Sequence, residues 1–511
     1  MKKNYISRVL LLLTLNFFST GLFAQEPLAP IKTLLEGDAR LSAYKLKDKE
    51  LVKEFYRLCS YKAVWTGAGD TTHLNQLIHL LNNTGHLALE DGDHAKKFPA
   101  NNNDYELYTE LMYTDAALHL FSEMAFGNRK PVFGFNGIKY EPGCYNIPSL
   151  LAQYISKNQL PALTDYFLQA DKTLQTLITW LQIFYSRVEE PHFAETAVVS
   201  DKVSSSNKPL LKRLYQLGLL PGEPANIPDS LLKKKIKEAQ RMFNVLDDGR
   251  LRKTFISQLN IPLPVRIRQL KLAVNYYRWL HCVSSRQPAI VVNIPSANLY
   301  LWQSGKSLLS MRVIVGKRST PTPTLASVVD EVVLYPYWHV PYSIATKELL
   351  PLIKRNPGYL NSGNFQVLDR AGRIVNPYHV KWRTLSSRYF PYTIRQSTGC
   401  DNSLGLLKLN FYSPFGVYLH DTPAKSLFML NKRYFSHGCI RIEKPMQLGH
   451  FLLKGNEVAI DTLEQKGCLR NQAPVKVPVT VKVNVLVWYN LAEATPDGRV
   501  IFYEDIYGKF D

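Results

Sequence analysis

Cysteine is scarce and never clustered in this chain of 511 residues. The six are Cys59, Cys144, Cys282, Cys400, Cys439 and Cys468, and no two form a CxxC pair. That spacing indicates neither a zinc ribbon nor a compact disulfide framework. Long apolar runs are equally rare. The one candidate, "VLLLLTLNFF" near the N-terminus, falls short of the roughly 20 residues that span a bilayer. Internal repeats are lacking, and so is low-complexity sequence beyond one polar stretch, "VVSDKVSSSNKP". Acidic residues number 42 against 62 Lys and Arg, a formal charge of +20 that favours polyanionic surroundings. Nucleic acid, anionic lipid and an acidic cell-wall polymer all meet that description.

A hydrophobic content of 46% with 12% aromatics argues for a folded chain, and its length argues for two to four domains. "MKKNYISR", the apolar run and "STGLFA" read as a signal peptide over residues 1–24, with an uncleaved anchor as the alternative. Export argues against nucleic acid as a partner. In an oxidising compartment the cysteines allow three bridges, but one working thiolate leaves at least one more thiol free. The connectivity is not legible.

Residues 34–190 carry helical spacing. "DYELYTELMYTDAALHLFSEMAFG" puts Leu107, Leu111, Leu118, Phe121 and Ala125 on one face, with Gly127 as the stop. "DKTLQTLITWLQIFY" repeats the pattern. After the polar stretch comes a helical unit at 205–262. In it Asp229 or Ser230 is placed to cap a helix with Leu232, Ile236, Ala239 and Phe243 on one face. A connecting helix follows over 263–287. From residue 288 the period changes to short Val-, Ile-, Leu- and Tyr-rich runs, which predicts a mostly-β domain as a β-sandwich or partly closed barrel. The fold class expected is therefore multidomain α+β.

The chemistry concentrates in "FGVYLHDTP" and "YFSHGCIRIEKP". His420 ends one apolar strand and Cys439 begins another. If the strands are neighbours, imidazole and thiol come within hydrogen-bonding range, and the imidazole can stabilise the attacking thiolate. Gly438 allows close backbone approach, the Gly438 and Cys439 amides are placed to hold an oxyanion, and Ser436 or His437 can orient the second imidazole nitrogen. The residues alone leave Cys439 open as packing, disulfide, metal ligand or nucleophile. A metal set of His420, His437, Cys439 and His450 is disfavoured, because His-x-Cys is an uncommon zinc spacing.

"HDTPAKSLFMLNKRYFSHGCIRIEKP" resembles the active-site segment of the L,D-transpeptidases, in which a histidine is followed by Ser-His-Gly-Cys. "VVNIPSANLYLW", "RVIVGKRSTPTPTL", "VVLYPYWHVPYSIATKELLP" and "DNSLGLLKLNF" look like the large periplasmic subgroup. "IKEAQRMFNVLDDGRLRKTFISQLNIP" is similar to a peptidoglycan-binding helical module, and residues 34–190 look like the subgroup's scaffold domain. The resemblance implies a catalytic domain over 288–511 with a helical lid at about 343–400. It implies Cys439 as nucleophile, His420 as proton acceptor and donor, His437 in support, and Ser436 and Gly438 as the rest of the motif. Arg441 would bind a substrate carboxylate or pair with Glu443, and Trp338 and Tyr337 would line the pocket. The implied reaction releases D-Ala from a stem tetrapeptide through a thioester and forms a 3→3 cross-link; hydrolysis of the thioester, or murein binding without catalysis, are the alternatives. Implied partners are donor and acceptor stems, cell-wall synthesis proteins and acylating carbapenems; no cofactor is implied. Two departures stand out. "DDGRLRKTF" replaces a more usual Gly-x-x-Thr turn, and Cys400 stands where relatives more often have proline. That second thiol is either inert or a disulfide partner for Cys439.

Overall fold

The computed structural model describes residues 29–37, 44–66, 72–89, 105–140, 143–169, 171–223 and 226–510. The expected signal segment, residues 1–24, lies outside the described residues. The chain divides into two compact units, the first made of residues 1–81, 93–119 and 147–163 and the second of the remainder.

The first unit is helical, as its apolar spacing predicts. Its helices include Lys49–Leu58 and Ile147–Ser156, with Val52, Phe55, Leu151 and Ile155 buried. Glu110 is fully buried there, and its carboxylate accepts hydrogen bonds from the Val64, Trp65 and Thr66 amides and the Tyr56 hydroxyl at 2.7–2.9 Å. Several donors around one carboxylate make such burial affordable. The helix Tyr105–Phe126 stops at Gly127, whose φ of +75° suits glycine, as the sequence predicts.

In the second unit, eight strands carry the site. They are β1 (Ala289–Asn293), β2 (Asn298–Gln303), β3 (Lys306–Gly316), β4 (Leu325–Leu334), β5 (Leu407–Phe411), β6 (Leu419–His420), β7 (Ile440–Ile442) and β8 (Asn484–Trp488). They pair in the order β4-β5-β6-β7-β3-β2-β1-β8, and β8 pairs back onto β4, which closes the ring. Strand β4 closes it with its two halves. Val332 and Val333 face β5, whereas Leu325 to Val328 face β8.

Alternation along these strands explains the layers. Ile290, Val292, Val485, Val487, Leu409, Leu419 and Ile440 fill the interior. Ala289, Val291, Leu486 and Trp488 point the other way, into a second core built on helices α1 (Lys172–Val188) and α2 (Leu263–Arg286). Strands β1 and β8 are buried on both faces, so they read as unbroken apolar runs. Each such side chain contributes about 1.5–3 kcal/mol of burial.

The helical unit at 205–262 packs into that second core through Leu232, Ile236, Ala239 and Phe243, the face the sequence predicts. Its helix Asp229–Met242 follows Pro228 without a side-chain cap, so neither Asp229 nor Ser230 plays the expected part. Arg213, Arg266 and Arg278 are fully buried, which their residue type does not suggest. Arg266 compensates with its guanidinium 4.6 Å from the Phe243 ring and 4.7 Å from that of Phe502.

Between β4 and β5 the expected helical lid also contains a sheet. Strands Trp338–His339, Thr393–Gln396, Phe365–Leu368 and Ile374–Val375 pair antiparallel in that order. Short helices including Ala345–Leu349 and Leu350–Arg355 cover it, and Ile353, Leu360, Val367 and Ile394 give it a core of its own. Cys400, at the lid's end, is joined to Cys468 with Cα atoms 5.2 Å apart, which overturns the pairing with Cys439. Cys144 pairs with Cys282, and Cys59 and Cys439 are free.

Candidate active site

Strands β6 and β7 are parallel neighbours, with Leu419 opposite Ile440 and His420 opposite Arg441. On the other side of β6, Lys408 of β5 is opposite His420. In-register partners share a face. Because Leu419 and Ile440 turn inward, Lys408, His420 and Arg441 form a row on the opposite face. The sequence expectation that the His420 and Cys439 strands adjoin is met. The expectation of a hydrogen bond is not: among the described residues none joins the Cys439 thiol to His420.

The turn before Cys439 is held on several sides. The Ser436 hydroxyl, 2% exposed, donates to the Cys439 carbonyl at 2.6 Å and accepts from the Gly438 amide at 3.1 Å. Thr322 donates to the Gly438 carbonyl at 2.9 Å and Thr320 to the Ser436 carbonyl at 3.1 Å. Gly438 itself has φ +118°, a conformation L side chains rarely adopt. Two expectations fall here. The Gly438 amide, expected to face an oxyanion, is taken by Ser436; and Ser436 does not orient His420. That role belongs to the backbone carbonyl of Asp421, which accepts from His420 Nδ1 at 2.5 Å. The neutral ring therefore carries its proton on Nδ1, and Nε2 is the basic nitrogen. His437 turns elsewhere, placing Nε2 2.8 Å from Glu348 of the lid.

Burial governs the electrostatics. His420 is 4% exposed, and its pKa is pushed down to about 3 by desolvation first and by Arg441 next, with Lys408 adding to it. The hydrogen bond to Asp421 opposes this. Burial pushes the Cys439 thiol up, while Tyr418, through its backbone and side chain, and then Lys408 and Arg441 pull it back. The resting pair is thus a thiol beside a neutral imidazole, where sequence reasoning expected a stabilised thiolate.

Arg441 does not pair with Glu443, which is occupied by Arg312 through Nε at 2.9 Å. Its own Nε is buried without a hydrogen-bond partner. Trp338 packs on Phe365 of the lid with ring centroids 6.3 Å apart. Tyr337 lies under Arg395 at 4.3 Å. His450 stands with Asp461 and Glu464, so the metal set conceived around Cys439 is not assembled.

Sequence reasoning missed Tyr418, Lys408 and Asp421. Tyr418 pulls the thiol's pKa back down, packs edge-on to His420 at 5.6 Å and carries Lys408 over its ring at 4.2 Å. The available signal was the alternation in "LLKLNF" and "GVYLHD", which turns Lys408, Tyr418 and His420 away from the leucines.

Residues 287–460 match the family model of the L,D-transpeptidase catalytic domain, and residues 50–181 match that of a scaffold domain. A Haemophilus influenzae protein, itself assigned as an L,D-transpeptidase only by inference, is 36% identical over 238 residues; the match covers 47% of this chain and 47% of that protein. The chain thus spans about half the length of that curated relative. An L,D-transpeptidase from Mycobacterium smegmatis has 15% identity and a TM-score of 0.19, covering 39% of this chain and 58% of the other. L,D-transpeptidase 3 from Mycobacterium tuberculosis, solved with a faropenem-derived adduct, has 14% identity and a TM-score of 0.19, covering 39% and 60%.

Proposed function

Because the chain carries an L,D-transpeptidase catalytic domain together with a scaffold domain, we propose that it is an exported, periplasmic cysteine acyltransferase that forms 3→3 cross-links in peptidoglycan. One observation carries this reading. His420 ends one strand and Cys439 immediately precedes its parallel neighbour, with His420 Nδ1 fixed on the Asp421 carbonyl and Nε2 left as the base. Nothing in packing alone calls for a buried imidazole kept neutral beside a half-buried free thiol.

The steps follow from those two groups. As Cys439 Sγ attacks the carbonyl of the third stem residue, its proton passes to His420 Nε2. The C–N bond to the fourth residue breaks, and His420 returns the proton to the departing D-Ala amine. The thioester left on Cys439 is attacked by the side-chain amine of a second stem, with His420 taking the amine's proton and giving it to the released thiolate. Arg441 binds a stem carboxylate, Trp338 and Tyr337 contribute the lid side of the pocket, and His437 ties the motif to the lid. Water in place of the amine yields an L,D-carboxypeptidase. The same thiol accounts for acylation by carbapenems.

The proposed organisation is a signal peptide at 1–24, a scaffold at 34–190, a peptidoglycan-binding-like module at 205–262, a connecting helix at 263–287 and a catalytic domain at 288–511. The test is mass spectrometry of the chain incubated with disaccharide-tetrapeptide, beside a Cys439→Ala control. D-Ala release with a cross-linked dimer, absent from the control, is expected. D-Ala release without dimer transfers the assignment to the carboxypeptidase, and an unchanged substrate favours a murein-binding scaffold.

A further inference from the structure

Lys408 and Arg441 flank His420 in register, one on each neighbouring strand. Neither has an ion-pair partner among the described residues. Glu331, the carboxylate whose charge acts on Lys408, is engaged by Asn410 at 2.6 Å and by Lys476 at 3.5 Å. The ammonium of Lys408 instead lies 4.2 Å from the Tyr418 ring, half-buried, and burial depresses its pKa. Arg441 has a buried Nε with no partner. Two half-buried cations without carboxylates carry a desolvation cost in the folded chain that a ligand's anions would offset.

The order of the strands says which anion each cation meets. Crossing the sheet from β7 to β5, the row reads nucleophile strand, base strand, lysine strand. A scissile carbonyl at Cys439 Sγ must direct its leaving amine toward His420. The carboxylate of the leaving residue, attached to the same carbon as that amine, then continues in the direction of β5.

We propose that Lys408 is a specificity-determining residue that binds the free terminal carboxylate of the donor stem, while Arg441 binds the carboxylate of the residue that is acylated. The inference rests on the proposed reaction for the identity of the peptide. It assigns Lys408 the choice of a stem ending in the fourth residue's free acid over one in which that carboxylate is amidated or extended.

Calorimetric titration with the tetrapeptide acid and its C-terminal carboxamide, using the full chain carrying Cys439→Ala, reads this without turnover. The acid is expected to bind on the order of 30-fold more tightly than the amide. Adding Lys408→Met should weaken the acid to the level of the amide, and Lys408→Arg should restore most of the difference. The idea is overturned if the Lys408→Met protein, with an unchanged melting curve, keeps the full acid preference. It is overturned equally if the Cys439→Ala protein shows no preference, including no binding at all. Turnover by the wild type is scored separately. Preference without turnover removes the reaction and leaves Lys408; turnover with preference intact in Lys408→Met does the reverse.

Discussion

Glu348 of the lid lies 2.8 Å from Nε2 of His437, two residues before the candidate nucleophile. It sits on the π-helical turn Ala345–Leu349, a geometry that often marks functional positions. The pair is partly solvated, so it contributes no more than about 1 kcal/mol. Glu348→Gln should therefore speed hydrogen exchange across residues 342–362 by up to about 5-fold. Unchanged exchange there would mean that the lid is held by its other contacts.

The pH response of the site has a definite sign. Burial raises the Cys439 thiol and holds His420 down at about 3. Alkylation of Cys439 by iodoacetamide should therefore climb about tenfold per pH unit between pH 7 and 9, without a plateau at lower pH. Lys408→Met removes a charge that favours the thiolate, so alkylation should be slower at every pH in that range. A plateau below pH 7 would indicate a standing thiolate and contradict the neutral pair.

His420 also makes the fold acid-sensitive. Its folded pKa lies below the 6.5 of a free imidazole, so the unfolded chain takes up the proton first. Stability present above about pH 6.5 is lost as pH falls toward about 3, with a slope approaching ~1.4 kcal/mol per pH unit. His420→Gln should melt with a weaker pH dependence than the wild type between pH 6 and 4. Parallel curves would place the imidazole in water.

Thiol counting tests the covalent frame. Without reductant, Cys439 should label readily and Cys59, buried and pushed up to about 12, only after unfolding. All six should label only after reduction of the unfolded chain. Chain entropy assigns the Cys400–Cys468 bridge, 68 residues apart, a contribution of roughly 4 kcal/mol, so Cys400→Ser should lower the melting temperature measurably. Peptide mapping that joined Cys400 to Cys439 would overturn the frame.

Gly438→Ala isolates backbone conformation from space. A Cβ would stand 3.7 Å from the nearest atoms, the Pro321 carbonyl and Val417, so room is not the obstacle. The φ of +118° is the obstacle, because L side chains rarely adopt it, and we expect a cost of about 1–3 kcal/mol. Turnover should fall by at least tenfold as the turn relaxes. Full activity with an unchanged melting temperature would show that the turn tolerates a side chain.

Much of this was readable from local pattern. The helical stripe through Leu232, Ile236 and Ala239, the left-handed stop at Gly127 and the burial of alternate residues in "LLKLNF" depend on short-range periodicity. The motif around Cys439 was conspicuous for its residue types. The runs "EVVLYPYW" and "NFQVLDRAGRIVNP" read as strand and hold Trp338, Phe365–Leu368 and Ile374–Val375. That these pair as a separate sheet within the lid was not legible, because their partners are gained only across the lid.

The partners of each side chain were a different matter. By itself the sequence determined the elements, the strand carrying each site residue and the face toward which it turns, since these follow from backbone periodicity. Only the tertiary structure decided that Asp421 rather than Ser436 orients His420, that Arg312 takes Glu443 and leaves Arg441 unpaired, and that Cys400 joins Cys468. The last two depend on distances between residues remote in the chain, and the first on the local backbone course that the packed strand takes past His420. Desolvation, which sets the protonation of His420 and Cys439, likewise exists only once the surrounding strands and lid have excluded water.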